Sequence, residues 1–364
     1  MGEQDVGDLE KIRVGIEGWL QRRFSDRPGL SVADLNFPQA SGESSVTLIL
    51  EVCWPDSDAS DSSGSPKGQE ERFVFRMAPR ESQVFDNHDL KMQFDMMTIM
   101  AKEGVPAPEL IGYEPDPSIV GSDFYIMAFC EGKIPSDQPP MMLAGWLKDD
   151  ATPAERASMW AGGLEALAKI HQIDTEAYDL SRLPQAAPGE PLLAQEVRTF
   201  DVMFKPELRP TADPAIVEGW EYLMSTVPTD GEKALCWGDS RVGNLIFRDA
   251  KPVAVIDWEM ANLSDPRTDL AWWIWIDRCN SEGLGAERLA GLPEPRDVYA
   301  RWSELTGRSI NGIEWFELFA VVRFAIILER KFAAMRATHP DLNVPNFPAQ
   351  FIPGLIEAAR ARRG

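Results

Sequence analysis

Two short, mainly apolar runs, Leu245-Ile246-Phe247-Arg248 and Val253-Ala254-Val255-Ile256, flank the tetrapeptide Asp249-Ala250-Lys251-Pro252. Strand-forming residues on either side of a turn-prone linker fold back as a β-hairpin. If Arg248 faces Val253, the register carries Asn244 opposite Asp257 at the open end, with Cα atoms about 5 Å apart. An amide oxygen and a carboxylate then converge, a donor set that suits magnesium together with water and phosphate oxygens. Asp239 precedes Asn244 on a loop bounded by Gly238 and Gly243, within reach of the same point. Its carboxylate suits a base that orients a hydroxyl.

The rest of the chain changes character near Gly132. Before it, Leu9, Ile12, Ile16 and Leu20 recur at helical spacing, and the β-rich runs Val46 to Trp54 and Arg72 to Met77 read as paired strands. Pro55 to Glu70, dominated by Asp, Ser and Gly, is expected to be a long mobile connection between them. A helix is expected from Asp89 to Glu103, a break at Gly104-Val105-Pro106-Ala107-Pro108, and strands at Leu110 to Tyr113 and Asp123 to Phe129. Beyond Gly132 the pattern is helical. Thr152-Pro153-Ala154-Glu155 supplies an N-cap, a first-turn Pro and a capping Glu for a helix reaching about His171. Further helices are expected over Thr268 to Arg278, Pro295 to Thr306 and Gly312 to Thr338, with Leu245 to Ile256 the one clear strand pair of this half.

The 58 acidic residues outnumber the 36 basic ones, giving a formal net charge of −22 over 364 residues. Such a surface repels nucleic-acid phosphate and anionic membranes, so neither is expected as a partner. The same acidity suits a cationic substrate, though plain solubility is the commoner reason for it. Cys53, Cys130, Cys236 and Cys279 are scattered, with no C-x-x-C pair, and read as reduced thiols. The opening M-G-E-Q-D-V-G-D-L-E is acidic and lacks an apolar core. The apolar runs Trp272 to Ile276 and Phe319 to Leu328 are too short to span a bilayer, and a cytoplasmic location is expected.

The spacing of Asp239, Asn244, a short hairpin and Asp257 is the arrangement that phosphoryl transfer uses in protein kinases, where Asp meets the hydroxyl and Asn and a second Asp hold Mg²⁺. W-G-D-S-R-V-G-N-L followed by V-I-D-W-E resembles the catalytic-loop and metal-Asp motifs of the aminoglycoside phosphotransferase and choline kinase-like family. Phe73-Val74-Phe75-Arg76 resembles its basic third strand, Gly104 to Pro108 its G-V-P-x-P connector, Phe124 to Met127 its hinge approach, and Ala168-Lys169-Ile170-His171 its helix before the catalytic loop. The D-x-R-x-G-N form of the loop is closer to the branch found with acyl-CoA dehydrogenases. The likeness covers about Val32 to Trp275. It implies an α+β, two-lobed protein-kinase-like fold: residues 1–130 as a small antiparallel-sheet lobe covering the nucleotide, and 131–364 as a larger, mostly helical lobe with the catalytic loop and acceptor site.

By that resemblance Asp239 is the catalytic Asp, Asn244 and Asp257 are the metal ligands, the cofactors are ATP and Mg²⁺, and the substrate is a small hydroxyl-bearing molecule. Arg241 is placed to face the transferring phosphate or to pair with a carboxylate. Arg76 stands where relatives carry a Lys on the α- and β-phosphates, and Gln93 where its Glu partner is expected, with Asp89 as a substitute partner. Ser41, Gly42 and Ser44 form the expected phosphate-covering turn, and Met127, Ala128, Phe129 and Cys130 the hinge that meets adenine. His171 reads as a structural histidine, Asp265 as a helix-start anion and Asp269 as a brace for the catalytic loop. Trp272, Trp273 and Trp275 read as packing, and Arg323, Glu329 and Arg330 as the edge of the acceptor pocket or a solvated face. Trp237 departs from the His usual before Gly-Asp. A catalytically silent pseudokinase that binds nucleotide and acts as an interaction module is the alternative; protein-kinase activity is disfavoured because Asp257-Trp258-Glu259 lacks the Gly of a D-F-G switch.

Overall fold

The computed structural model describes residues 3–33, 35, 36, 46–60, 66–78, 89–339, 341 and 344–363. The chain forms two compact units, Met1–Thr98 with Pro108–Cys130 and Ile99–Ala107 with Glu131–Gly364.

In the first unit α1 (Glu3–Arg23) precedes β1 (Ser31–Val32), β2 (Val46–Ser60) and β3 (Pro66–Met77); α2 (Leu90–Lys102), assigned to this unit as far as Thr98, β4 (Leu110–Glu114) and β5 (Phe124–Ala128) follow. The strands form one antiparallel sheet in the order β1-β2-β3-β5-β4. Alternation along β2 and β3 turns Leu48, Leu50, Val52, Trp54, Phe73, Phe75 and Met77 into one core with Ile12, Ile16, Trp19 and Leu20 of α1. Each such side chain contributes about 1.5–3 kcal/mol when taken from water. The connection expected to be mobile over Pro55 to Glu70 is mostly strand: β2 runs to Ser60 and β3 begins at Pro66, with Pro55 paired to Gly68 and a bulge before the Ser60 and Pro66 pair. Ladder bonds join backbones, so a polar run with no apolar alternation to mark it can still extend a hairpin. The phosphate-covering turn expected at Ser41, Gly42 and Ser44 lies outside the described residues.

The second unit carries α3 (Trp146–Asp149), α4 (Pro153–Gln172), α5 (Ala194–Met203), α6 (Pro214–Ser225), β6 (Ala234–Cys236), β7 (Leu245–Arg248), β8 (Lys251–Val255), β9 (Asn262–Ser264), α7 (Arg267–Asn280), α8 (Pro295–Thr306), α9 (Ile313–Thr338) and α10 (Ile352–Arg363). α4 starts at the expected capping box, with Thr152 and Glu155 each accepting the other's backbone N–H. Among the described residues no helix is long and apolar enough to cross a membrane. A second strand pair, β6 with β9, joins the hairpin in this half. Three-residue strands show too little alternation to be read from sequence. This pair has a positional effect: with Cys236 opposite Asn262, it sets the chain leaving β6 beside the chain entering β9, and the chain that leaves β9 for α7 beside Ala234.

The β7–β8 hairpin forms in a different register from the expected one. Arg248 pairs with Lys251, and the two-residue turn Asp249-Ala250 has φ of 51° and 55°. A bulge then intervenes between Ile246 and Phe247, and Leu245 faces Val255. Pro252 has no N–H to give the ladder, which is where irregular pairing is tolerated.

Candidate active site

The loop from Trp237 to Asn244 leaves β6 and gathers around one carboxylate. Gly238 has φ of 88°, and a Cβ there would overlap the Met260 carbonyl, so only glycine fits the turn. The next residue, Asp239, keeps 16% of its side chain exposed. Its Oδ1 accepts from Trp272 Nε1 at 2.8 Å, and its Oδ2 from Arg241 Nε at 2.9 Å and Asn244 Nδ2 at 2.7 Å. Burial pushes the Asp239 carboxyl upward, but the Arg241 charge and these three hydrogen bonds outweigh it and hold its pKa below the ordinary aspartate value. The group therefore stays ionised at neutral pH.

Arg241, expected to face phosphate or to pair with a carboxylate, forks onto Asp137, with Nη1 to Oδ1 at 2.6 Å and Nη2 to Oδ2 at 2.9 Å. Burial works against the guanidinium charge, and Asp239 and Asp137 more than restore it. Gly243 leaves the space that the guanidinium fills. Asp137 was not anticipated, and nothing local marks it. It arrives because Lys133 and Phe247 exchange backbone hydrogen bonds of 2.8 and 2.9 Å, laying the 131–137 segment beside β7.

Asn244 does not face Asp257. The Ile256 N–H donates to the Asn244 carbonyl at 3.1 Å, so Asn244 faces Ile256, and Asp257 follows with φ of 64°. The short turn and the bulge displace the register by one residue from the expected pairing. Nδ2 of Asn244 is committed to the Asp239 carboxylate and, at 3.0 Å, to the Asp239 carbonyl. An amide held by its nitrogen presents its oxygen on the opposite side. The Asn244 amide oxygen and the carboxylate of Asp257, the residue after its ladder partner Ile256, remain a hard-oxygen donor set of the kind magnesium takes.

A buried frame supports the loop. Asp269 on α7 accepts from the N–H groups of Trp237 at 2.6 Å and Gly238 at 2.8 Å, and its carbonyl accepts from Ser240 Oγ at 2.8 Å. This is the bracing geometry expected for Asp269. His171 lies 3.1 Å from the same carboxylate, and its Nδ1 accepts from Trp302 Nε1 at 2.9 Å. Indole nitrogen can only donate, so the His171 proton sits on Nε2 and is given to Asp269. Cys236 completes a compact group with His171 and Asp269. With both imidazole nitrogens committed and the thiol pKa raised well above its usual value by burial, the group is structural. Trp237 is wholly buried, and its indole N–H reaches the carbonyls of Ile256 at 3.0 Å and Asp257 at 3.2 Å. The departure from His thus tethers the Asp257 backbone to the Asp239 loop.

Trp272, expected only to pack, touches Asp239. Its position one helical turn after Asp269 is the signal that would have found it. Arg323 and Glu329 are buried, so the helix is not a solvated face at these two positions. Arg323 lies among Phe200, Trp272 and Phe319, and Glu329 pairs with Arg336. Asp265 pairs with Arg267 and accepts its N–H at the start of α7.

In the first unit Arg76 is paired in register with Tyr125, whose hydroxyl donates to Gln93 Oε1 at 3.4 Å. The two residues thus flank one tyrosine, both buried. Asp89 accepts from Met92 N at the start of α2. At the expected hinge, β5 ends with the Ala128 N–H given to Glu109 and the Phe129 N–H to Arg72, with Met127 buried beside them and Cys130 next along the chain.

Residues 64–306 match the model of the family described as "Phosphotransferase enzyme family". Acyl-CoA dehydrogenase family member 11 from Homo sapiens is 28% identical over 326 residues, covering 86% of this chain and 38% of that protein. The same-named protein from Pongo abelii is 26% identical over 337 residues, covering 89% of this chain and 40% of that one. The chain therefore spans about two fifths of the length of these relatives. A solved structure from Ralstonia eutropha, described as "a putative aminoglycoside phosphotransferase", superposes with TM-score 0.69 at 20% identity, over 96% of this chain and 97% of that one. A choline kinase from Streptococcus pneumoniae superposes with TM-score 0.55 at 10% identity, over 95% and 99%. The fold is accordingly that of the kinase-like phosphotransferases, and with its profile matched over more than half its length, the chain belongs to the phosphotransferase enzyme family.

Proposed function

We propose that the chain transfers the γ-phosphoryl group of ATP to a hydroxyl of a small molecule in a Mg²⁺-dependent reaction. The observation that carries this reading is the Asp239 carboxylate, kept ionised by Arg241 and hydrogen-bonded to Asn244 on the loop that leads into the Asp257 hairpin. In this reading Asp239 orients the acceptor hydroxyl and takes its proton. Asn244 Oδ1 and the Asp257 carboxylate hold the metal, which when bound neutralises phosphate charge. Arg241 spreads the charge of the transferring group. Residues 1–130 cover the nucleotide, Arg76 and Gln93 meeting its phosphates and Met127 to Cys130 its base, while 131–364 hold the acceptor. A cytoplasmic location belongs to the same proposal.

The test is ADP release across a panel of amino alcohols, aminoglycosides, sugars and hydroxyacyl thioesters, the last included because the matched relatives are named for acyl-CoA dehydrogenases. Asp239→Asn should lower kcat by about 10²- to 10⁴-fold while leaving Mg-ATP binding intact. Full activity in that variant sinks the catalytic assignment. Mg-ATP binding by the wild type with no acceptor-dependent ADP release points to the silent pseudokinase.

A further inference from the structure

Arg323 is a cation in the interior, with 1% of its side chain exposed. Its guanidinium carbon stands 4.6 Å from the Trp272 ring centre, 4.8 Å from Phe200 and 5.3 Å from Phe319. Nη1 reaches Glu196 Oε1 at 3.3 Å and Nη2 donates to the Gly238 carbonyl at 3.2 Å, while Nε has no acceptor among the described residues. A buried pair with an unfilled donor and one long carboxylate contact is a poor device for stability, since apolar residues of like volume usually serve as well. What distinguishes its position is the pair of groups it touches. Gly238 O belongs to the peptide that enters Asp239, and Trp272 is the indole that donates to Asp239 Oδ1.

We propose that Arg323 is a positioning residue that fixes the Asp239 carboxylate through the Trp272 indole and the Gly238 carbonyl, an inference that rests on the phosphotransferase reading of this site. A cation over the ring face makes the N–H at the ring edge a stronger donor, as neighbouring dipoles polarise one another in a low-dielectric interior. The hydrogen bond to Gly238 O holds the peptide plane from which Asp239 projects. Both act on one carboxylate from the side opposite Arg241 and Asn244, which take Oδ2. Losing Arg323 leaves Oδ1 held by a weaker donor and the Gly238 carbonyl without this hydrogen bond.

The test compares Trp272→Phe with the paired variant Glu196→Gln/Arg323→Met, which removes both buried charges together and leaves neither uncompensated. The Trp272 indole N–H signal, identified in ¹⁵N-labelled protein by its loss in Trp272→Phe, should move upfield in the paired variant. With an acceptor that the wild type turns over, kcat should fall by about 10- to 100-fold with the KM for Mg-ATP unchanged, the scale of a small misplacement of a reacting group. The two losses should overlap rather than multiply when combined, because both act on one carboxylate. Arg323→Lys keeps a cation over the rings without the Nη2 hydrogen bond to Gly238 O; it should hold the indole signal yet still lose rate, and it serves equally if the paired variant fails to fold. An unmoved indole signal, a retained kcat or multiplying losses overturn the proposal. A wild type that turns over no acceptor overturns the phosphotransferase reading instead, and the indole signal alone then decides whether Arg323 holds the carboxylate.

Discussion

Glu196 stands against Arg323 in the interior of the second unit, and burial pushes its carboxyl up to about 7, with the Arg323 charge and a hydrogen bond from Ser264 opposing the rise and Asp269 and Asp265 adding to it. The direction fixes the sign of a stability effect. An unfolded glutamate titrates near 4.5, so between 4.5 and about 7 the folded chain holds more protons than the unfolded one. Stability from this group is therefore complete below 4.5 and lost as pH rises through 7, by about 3 kcal/mol over the window. Urea unfolding of the wild type and of Glu196→Gln from pH 5 to 8 should show the wild-type curve falling relative to the variant; parallel curves would remove the argument. The slope is the readout, because the offset also contains the cost of leaving Arg323 without a carboxylate. At this scale the grouping of Asp239, Arg241 and Asn244 was legible, since all three lie on one short loop whose geometry two glycines permit. Asp137 and Arg323 were not: each reaches the loop from a distant segment, and tertiary proximity leaves no local pattern.

The hairpin shows what sequence reading loses at the scale of elements. Its two strands, its turn region and the residues at its mouth were visible, but its register was not, because the turn closes over Asp249 and Ala250 and the bulge beside Pro252 reverses part of the offset. Both turn residues occupy the left-handed region, where Asp is tolerated and Ala is strained by its Cβ. Two-residue hairpin turns of this kind favour Asp-Gly for that reason. Ala250→Gly should therefore stabilise the chain by about 0.5–1 kcal/mol, the relief of left-handed strain less the added entropy of glycine in the unfolded state. A rise in the urea midpoint at constant slope is the expected result, and an unchanged or lower midpoint would show that the turn is relaxed already. Helices α2, α4, α7, α8 and α9 were legible to within a few residues from their apolar periodicity, helped at α4 by the Thr152 and Glu155 box, whereas α5, α6 and α10 were not read. The β6–β9 pair and the polar ends of β2 and β3 were not, because backbone ladders there need no apolar side chain to mark them.

The whole molecule carries the imprint of its charge. A formal net charge of −22 means that carboxylates repel one another across the surface, and that repulsion grows roughly as the square of the excess charge. Working against it are exposed ion pairs such as Arg198 with Glu190 and Arg301 with Glu304. Each is worth about 0–1 kcal/mol, and salt weakens these pairs as it weakens the repulsion. The repulsion sums over many unpaired carboxylates at long range, whereas each pair acts at contact, so screening relieves more than it removes. Raising sodium chloride from about 0.01 M to about 0.15 M shortens the screening length from about 30 Å to about 8 Å, and the Tm should climb over that interval and then level off. Sulfate, excluded from protein surfaces, should continue to raise Tm beyond the plateau, which separates charge screening from the strengthening of apolar burial. A Tm that falls on adding the first increments of chloride would mean that paired charges, and not the net excess, dominate the electrostatics of this fold.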